Sequence, residues 1–193
     1  MKFTKLCLTL IVSSFFLIPV AWAMEEDKQQ IVNTKPKIES RLQELGIKLP
    51  DPAKPVSSFI PYVITGSNVY ISGQLPVSEG TLQYKGKLGK DLKLKDGEEA
   101  AKICIYNVLA YLKSACEGDL ERVQKCVRLG VWVNGTDDFM DQPKIANAAS
   151  ALINSIFGEK GQHVRAAVGS NSLPFGAAVE IEALFKLEEM SKL

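Results

Sequence analysis

The chain of 193 residues is 46% hydrophobic and 23% charged, with 23 Lys and Arg residues against 22 Asp and Glu. This composition is typical of a globular domain and excludes a disordered, collagen-like or multi-span membrane protein. Because the net charge is only +1, the chain lacks the basic surplus that neutralises phosphates, and we expect no nucleic-acid partner. His163 is the single histidine, which excludes multi-histidine zinc sites and mechanisms that use one histidine as acid and another as base.

The first 23 residues have the pattern of a secretory signal peptide. Lys2 and Lys5 form a positive start, an apolar run covers residues 6–20, and Ala-Trp-Ala at 21–23 fits the small-x-small cleavage rule. The apolar run is shorter than the ~20 residues that span a bilayer. We therefore predict a secreted or periplasmic protein that is cut after Ala23 and keeps no stable membrane anchoring; an uncleaved N-terminal anchor is the alternative.

Removal of these 23 residues, which include two lysines and no acidic residue, leaves 170 residues with a net charge of −1. That size suits one domain. Residues 24–36 are polar and without periodicity, which is typical of a flexible mature N-terminus. We predict a single domain over residues 37–193.

Three cysteines remain after cleavage: Cys104, Cys116 and Cys126. Three cysteines cannot all pair within one chain, and none lies in a Cys-x-x-Cys arrangement of the kind found in metal or thioredoxin-like sites. We expect buried apolar cysteines, with a disulfide between two of them as the alternative.

In the first half of the domain, Ile38, Leu42 and Leu45 share one helical face, and Gly46 predicts the end of this short helix. Prolines then exclude regular structure as far as Phe59. Three β-rich runs follow, over residues 59–65, 68–72 and 81–84. The Gly66-Ser67 pair between the first two predicts a hairpin.

In the second half, apolar residues recur at helical spacing from Glu98 to near Gly118 and again over residues 141–157. Strands are predicted over residues 123–133, 163–169 and 178–187. In the first of them, Val127, Leu129, Val131 and Val133 alternate onto one face, with Cys126 and Trp132 on the other. A strand apolar on both faces is typical of the centre of a covered sheet.

The order of these elements predicts the fold class. Strands come first, followed by helix, strand, helix and two strands. The natural packing is an α/β (α+β) two-layer sandwich, with a mixed β-sheet and two long helices on one of its faces.

Two of the predicted strands carry the candidate chemistry. Alternation places Arg165 on one face of its strand, and Glu180 and Glu182 together on one face of theirs. If these strands pair, one face presents an arginine suited to clamp a carboxylate and a glutamate able to position or deprotonate a water. The alternative is a solvated sheet face with an ordinary ion pair.

Three other features do not meet the requirements of the sites they suggest. The stretch from Gly80 to Lys87 has the wrong spacing for a phosphate-binding loop, and Leu88 replaces the Ser or Thr that such a loop places on Mg²⁺. Asn134 lies in an Asn-Gly-Thr glycosylation sequon, but Asn-Gly at a strand end favours a turn. Ser72 lacks the Gly-x-Ser-x-Gly elbow of a hydrolase nucleophile.

Several short motifs resemble the YjgF/RidA family, also called the reactive-intermediate deaminase or L-PSP endoribonuclease-like family. They are Ser-Gly-Gln-Leu-Pro at 72–76, Arg165, Leu-Pro at 173–174 and Val-Glu-Ile-Glu-Ala at 179–183. The resemblance covers residues 55–186. The short helix at 38–45 and the stretches at 141–144 and 167–169 resemble a divergent branch of that family.

The resemblance implies a chorismate-mutase-like fold and a homotrimer with a central barrel and ligand clefts between subunits. It further implies that Arg165 binds the carboxylate of a 2-imino or 2-enamino acid and that Glu180 positions the attacking water. Backbone groups at Gly73 and Ala167 would line the cleft, and Asn147 matches a pocket asparagine. No metal or other cofactor is implied, because an imine carbon is already electrophilic.

The chain departs from the active deaminases in three respects. Phe59 stands at the position of a pocket tyrosine, with Tyr62 three residues away, and Ala167 stands at the position of a cysteine. The signal peptide is the third departure, since the enamines in question arise inside cells.

Three candidate functions follow: an imine and enamine hydrolase, a non-catalytic module that binds small carboxylates, or an endoribonuclease. The mature charge of −1 counts against the last.

Overall fold

The computed structural model describes residues 38–52 and 58–188. The predicted signal peptide at 1–23 and the predicted mature N-terminus at 24–36 lie outside these described residues. The helices and strands, in chain order, are α1 (Ile38–Glu44), β1 (Tyr62–Thr65), β2 (Asn68–Gln74), β3 (Val77–Ser78), β4 (Thr81–Leu82), α2 (Leu94–Ala115), β5 (Val123–Asn134), α3 (Gln142–Phe157), β6 (Val164–Ser170) and β7 (Val179–Leu187). A short 3-10 turn, Pro174–Gly176, precedes β7.

Five strands form one mixed sheet in the order β1-β2-β7-β5-β6. Neighbouring strands are antiparallel except β5 and β6, which run parallel. Helix α2 packs against β2 and β7, helix α3 packs against β5 and β6, and the two helices contact each other. The predicted two-layer sandwich, with both long helices on one face of a mixed sheet, is confirmed.

The helix boundaries follow local capping. Helix α2 begins earlier than its apolar spacing predicts, because the backbone N–H of Lys93 donates to Asp96 Oδ2 at 2.8 Å and so finds a partner in the first turn. Gly158 ends α3 at a φ of 58°, a conformation that glycine adopts without strain. Gly46 has a φ of 66° just after α1, as predicted for a helix end.

Strand β5 differs from its predicted pattern. Simple alternation places Cys126 and Leu129 on opposite faces, yet both belong to the fully buried core under the helices. Register shifts between Val123 and Lys125, and between Cys126 and Arg128, mark two bulges. Each bulge inserts one unpaired residue and reverses the alternation beyond it. β5 is also not the middle strand of the sheet, because β7 occupies that position.

All three cysteines in the described residues, Cys104, Cys116 and Cys126, are buried and free. Burial raises the pKa of the Cys104 thiol well above its ordinary value, that of Cys116 to about 11 and that of Cys126 to about 12. Because the thiolate is the reactive form of cysteine, these side chains are apolar core groups at neutral pH.

The face of the sheet opposite the helices carries an exposed row of mostly apolar side chains. The register aligns Val63, Tyr70, Leu184, Arg128 and Val164 across all five strands, and directly aligned residues project from the same face. Val63, Tyr70 and Val164 are 45%, 47% and 68% exposed. Exposed apolar side chains grouped in this way are common at protein–protein interfaces. We call this surface the open sheet face.

Candidate functional site

The strands that carry Arg165 and Glu180 do not pair. β5 lies between them, with Leu129 aligned with Arg165 and Trp132 aligned with Glu180. Because Leu129 and Trp132 are three positions apart in one strand, they and their aligned partners project from opposite faces. Strand alternation predicted that Arg165, Glu180 and Glu182 share one face if their strands pair. This prediction is therefore wrong within a single chain.

Arg165 lies on the edge strand β6 and is held by helix α3. Its Nη2 donates to Asn147 Oδ1 at 2.6 Å, and its Nη1 donates to Ser150 Oγ at 2.9 Å. Asn147 and Ser150 are one helical turn apart and so share a face of α3. The guanidinium is exposed, and its remaining N–H donors are available to an anion.

Ser150 also contacts the single histidine. His163 Nε2 lies 2.9 Å from Ser150 Oγ, and His163 Nδ1 lies 2.6 Å from the carbonyl oxygen of Gly161. Ala167 follows Arg165 by two positions on the same face of β6 and packs against the core. We call Arg165, Asn147, Ser150, His163 and Ala167 the Arg165 cluster.

A second group of predicted residues surrounds a cavity of about 1030 Å³. Phe59, Gly73 and Glu180 line this cavity, which we call the Glu180 cavity, whereas no member of the Arg165 cluster does. Its other walls are mainly apolar and include Leu75, Val77, Leu82, Tyr111, Pro174 and Phe175. The six residues predicted as a site thus fall into two groups of three, at two separate places on one chain.

Gly73 brings the backbone of β2 against the Glu180 carboxylate. A Cβ atom at Gly73 would lie 1.9 Å from Glu180 Oε1, far inside van der Waals contact. The register shift between Ile71 and Gln74 marks a bulge at this point of β2. On the helix side, Asn107 Nδ2 donates to the carbonyl oxygens of Leu75 and Val77 at 2.9 and 3.0 Å. The chain after the bulge is therefore anchored to α2.

Burial raises the pKa of Glu180, and the nearby charge of Glu182 raises it further. Both causes favour the neutral acid. Glu182 itself forms an ion pair with Arg128, at 2.5 Å between Oε1 and Nη1. The alternative of an ordinary ion pair on a solvated sheet face therefore describes Glu182, with a different arginine, and does not describe Glu180.

Tyr62 lines a different cavity, together with Arg128 and Glu182. Its hydroxyl lies 3.5 Å from Ser114 Oγ on α2, and it does not line the Glu180 cavity. Phe59 does line the cavity, so the residue expected at the tyrosine position of the deaminases brings a ring without a hydroxyl. Tyr111 of α2 also lines the cavity, and burial raises the pKa of its phenol.

Sequence reasoning missed Phe175. This side chain is 77% exposed at the cavity wall and has a φ of 57°, a left-handed conformation that is rare for a bulky residue. Such outliers concentrate at functional sites. No local sequence signal distinguishes it, because a left-handed backbone is not a preference of phenylalanine.

The three features that did not meet the sequence requirements for a site have ordinary structural roles. Asn134 is 4% exposed, and its Nδ2 donates to the carbonyl oxygens of Gly86 and Ala177, so the folded chain does not present it for glycosylation. Lys87 Nζ donates to the carbonyl oxygen of Asn171 at 2.9 Å and connects two loops. Ser72 Oγ accepts a hydrogen bond from Gln74.

Among residues 38–52 and 58–188, no group of three His, Cys, Asp or Glu side chains is arranged to hold a metal ion. Within the same ranges, no helix combines the length and the apolar character required to cross a bilayer.

Comparison with known proteins agrees with this fold. A family model described as YjgF/chorismate mutase-like, putative endoribonuclease, matches residues 39–186. Protein TCP17 of Trypanosoma cruzi is 44% identical over 152 residues, which cover 78% of this chain and 94% of that protein.

Solved structures give the same result. The protein Atu1372 of Agrobacterium tumefaciens, described as of unknown function, is 40% identical with a TM-score of 0.74, over 78% of this chain and 92% of that one. A putative endoribonuclease of Shewanella oneidensis is 34% identical with a TM-score of 0.75, over 78% and 99% of the two chains. The YjgF product of E. coli, 21% identical with a TM-score of 0.51 over 74% and 96%, shares the fold. The chain therefore belongs to the YjgF/RidA family.

Proposed function

We propose that copies of this chain form a homotrimer that binds small carboxylates between subunits and hydrolyses 2-imino and 2-enamino acids to 2-oxo acids and ammonia. One observation carries the proposal. The residues expected to act together form two half-sites, the Arg165 cluster and the Glu180 cavity, at separate places on one chain, and Arg165 and Glu180 project from opposite faces of the sheet. A complete site then requires the Arg165 cluster of one copy to meet the Glu180 cavity of another.

The open sheet face supports the assembly. Its aligned row crosses all five strands and is apolar except at Arg128 on β5, and apolar surface gains stability when it is removed from water. Three such sheets packed around an axis would bury these rows in a central barrel and bring an edge strand of each copy beside its neighbour.

In the proposed reaction, Arg165 donates N–H bonds to the substrate carboxylate, for which a planar guanidinium is well shaped. Glu180 of the neighbouring copy accepts a proton from a water whose oxygen bonds to the imine carbon, while the imine nitrogen gains a proton from solvent, which gives a carbinolamine. Glu180 then returns its proton to the amine nitrogen, the carbon–nitrogen bond breaks, and the hydroxyl proton passes to solvent as the carbonyl forms. Ammonia leaves and a 2-oxo acid remains. Water supplies the oxygen, so the reaction consumes no oxidant or reductant.

The walls of the Glu180 cavity indicate which side group the substrate carries. Phe59, Leu75, Leu82 and Phe175 are apolar, and an apolar group gains about 25 cal/mol per Å² of surface that it buries there. We propose substrates with an aliphatic or aromatic side group. The imine of leucine is the test substrate that follows.

The test is hydrolysis of that imine by the purified chain from Met24 to Leu193. The imine is generated in situ from L-leucine by an amino-acid oxidase, and ammonia release is compared with the reaction without the protein. We expect acceleration by the parent, and a loss of about 10²-fold or more in Arg165→Ala, because one preorganised charge partner is removed. Lys95→Ala, which removes an exposed cation near the start of α2, is the matched control. A folded trimer without acceleration would contradict the hydrolase proposal.

The second candidate is a binding module without turnover, and Phe59 favours it because this ring brings no hydroxyl to the cavity. It predicts that a carboxylate such as pyruvate raises the melting temperature of the parent. It also predicts no stabilisation of Arg165→Ala and no acceleration of imine hydrolysis.

RNA cleavage receives no support from the site. The described lining of the Glu180 cavity includes one basic side chain, Lys85, and single-stranded nucleic acid is bound by basic grooves with stacked aromatic rings.

We also propose that the protein is exported, because residues 1–23 have the pattern of a signal peptide. N-terminal sequencing of the mature protein should give a sequence that begins at Met24.

The pH dependence of hydrolysis should report on Glu180. Its carboxylate must be ionised to accept a proton, so the rate falls as the pH drops through its pKa, which burial and Glu182 place above the ordinary value. Glu182→Gln removes one of these causes and frees the Arg128 cation that Glu182 pairs with, so the acid limb should move to lower pH. Glu159→Gln, an exposed glutamate, should leave it in place. An unmoved limb in Glu182→Gln would show that another group controls it.

A further inference from the structure

Arg165 lies at the end of a hydrogen-bond chain that begins at a backbone carbonyl. The chain runs from the Gly161 oxygen to His163 Nδ1 at 2.6 Å, from His163 Nε2 to Ser150 Oγ at 2.9 Å, and from Ser150 Oγ to Arg165 Nη1 at 2.9 Å. Ser150 and His163 are half-buried, whereas Arg165 is exposed. Two partly sheltered groups thus connect the exposed guanidinium to the backbone.

The chemistry of each group sets the direction of this chain. A carbonyl oxygen only accepts, so His163 Nδ1 carries a proton and, in the neutral ring, Nε2 is an acceptor. Arginine only donates, so Ser150 Oγ accepts from Arg165. The one hydroxyl hydrogen of Ser150 is then directed to His163 Nε2.

We propose that His163 and Ser150 are positioning residues that hold the Arg165 guanidinium in the orientation that receives a carboxylate. An exposed arginine has many rotamers, and fixing it in advance removes an entropic cost from ligand binding. Asn147 fixes Nη2 and Ser150 fixes Nη1, so the remaining N–H groups keep a constant direction.

Loss of the Nε2 acceptor would free the Ser150 hydroxyl. Serine within a helix then turns to a carbonyl of the preceding turn, which moves the Oγ lone pairs away from Arg165. The carboxylate role of Arg165 rests on the proposed function, whereas the hydrogen-bond chain itself does not. The two are therefore measured separately.

The first measurement is the affinity of the mature chain for pyruvate, used as the carboxylate probe. His163→Leu and Ser150→Ala should bind pyruvate about tenfold more weakly, the scale of one hydrogen bond to a charged group. His163→Gln should stay near the parent, because its amide oxygen replaces the Nε2 acceptor. Asn154→Ala, an exposed residue on the same helix, is the matched control and should change nothing. A merely structural role for His163 would not be rescued selectively by glutamine.

The second measurement is the ¹⁵N spectrum of the imidazole at pH 8, which is unambiguous because the chain has one histidine. We expect a protonated Nδ1 and an unprotonated Nε2. The Nε2 signal should shift in Ser150→Ala and also in Arg165→Ala. The second shift is expected because the hydrogen bonds through Ser150 couple the imidazole to Arg165, which the ring does not contact directly. Asn154→Ala should leave the signal in place. A protonated Nε2, or a ring signal unaffected by Ser150→Ala, would contradict the proposed hydrogen-bond chain.

The two measurements separate the possible failures. Should the parent and Arg165→Ala both fail to bind pyruvate while the ring behaves as expected, carboxylate binding is wrong and the hydrogen-bond chain stands. Should the parent bind pyruvate, Arg165→Ala lose it and His163→Leu bind as the parent does, the positioning role is wrong although Arg165 binds the carboxylate.

Discussion

Chains with Arg165→Ala and chains with Glu180→Gln should each be inactive in imine hydrolysis and should regain activity when they exchange subunits. In a trimer whose sites lie between neighbours, a mixed trimer has one interface that combines an intact Arg165 with an intact Glu180. Random mixing in equal amounts makes about three quarters of the trimers mixed, so about a quarter of the parent activity should return.

The measurement is ammonia release before and after the two variants are unfolded together and refolded. Each variant refolded alone provides the control, and a chain carrying both substitutions, mixed with the parent, reports on dilution of intact sites. Recovery cannot occur if Arg165 and Glu180 must come from the same chain. Variants that exchange subunits and remain inactive would therefore exclude a site shared between copies.

Gly73→Ala should abolish most of the activity while the chain still folds. The new Cβ would lie 1.9 Å from Glu180 Oε1, so the carboxylate must swing away from the position in which it handles water. We expect a loss of about 10²-fold in turnover, typical of a displaced general base. The expected loss of folding stability is about 1–3 kcal/mol, typical of overpacking at a filled position.

A double-mutant cycle distinguishes this local clash from a general defect of β2. Glu180→Ala removes the obstructing carboxylate, so Gly73→Ala should cost little stability in that background, and the two substitutions should be non-additive. Both single variants and the double variant are measured by thermal unfolding and by imine hydrolysis. If Gly73→Ala costs the same stability with and without the Glu180 carboxylate, the contact seen here does not explain its effect.

The helices were predictable because their signals are local. The apolar spacing of α2 and α3 and the glycines that end α1 and α3 lie within one or two turns of chain. The short hairpin of β1 and β2 at Gly66-Ser67 was predictable for the same reason. The sequence signals that define these elements therefore lie within the elements themselves or next to them.

The bulges of strand β5 could not be predicted from local sequence. Its bulges place Cys126 in the core, and a bulge depends on the register with β7, a strand more than 50 residues later in the chain. The early start of α2 depends on the Asp96 carboxylate closing back on Lys93, a detail that periodicity does not report. Phe175 is missed because its left-handed backbone depends on the turn before β7.

The sequence by itself determined the number and type of the main elements, the two-layer packing of helices on a sheet, and Arg165 and Glu180 as the pair to examine, because periodicity and short motifs are local properties of a chain. Only the tertiary structure decided that β5 separates β6 from β7, that Arg165 and Glu180 project from opposite faces, and that His163 reaches Arg165 through Ser150. The physical reason is that strand order and register are set by contacts between distant segments. A shift of one residue in that register changes the face of every side chain.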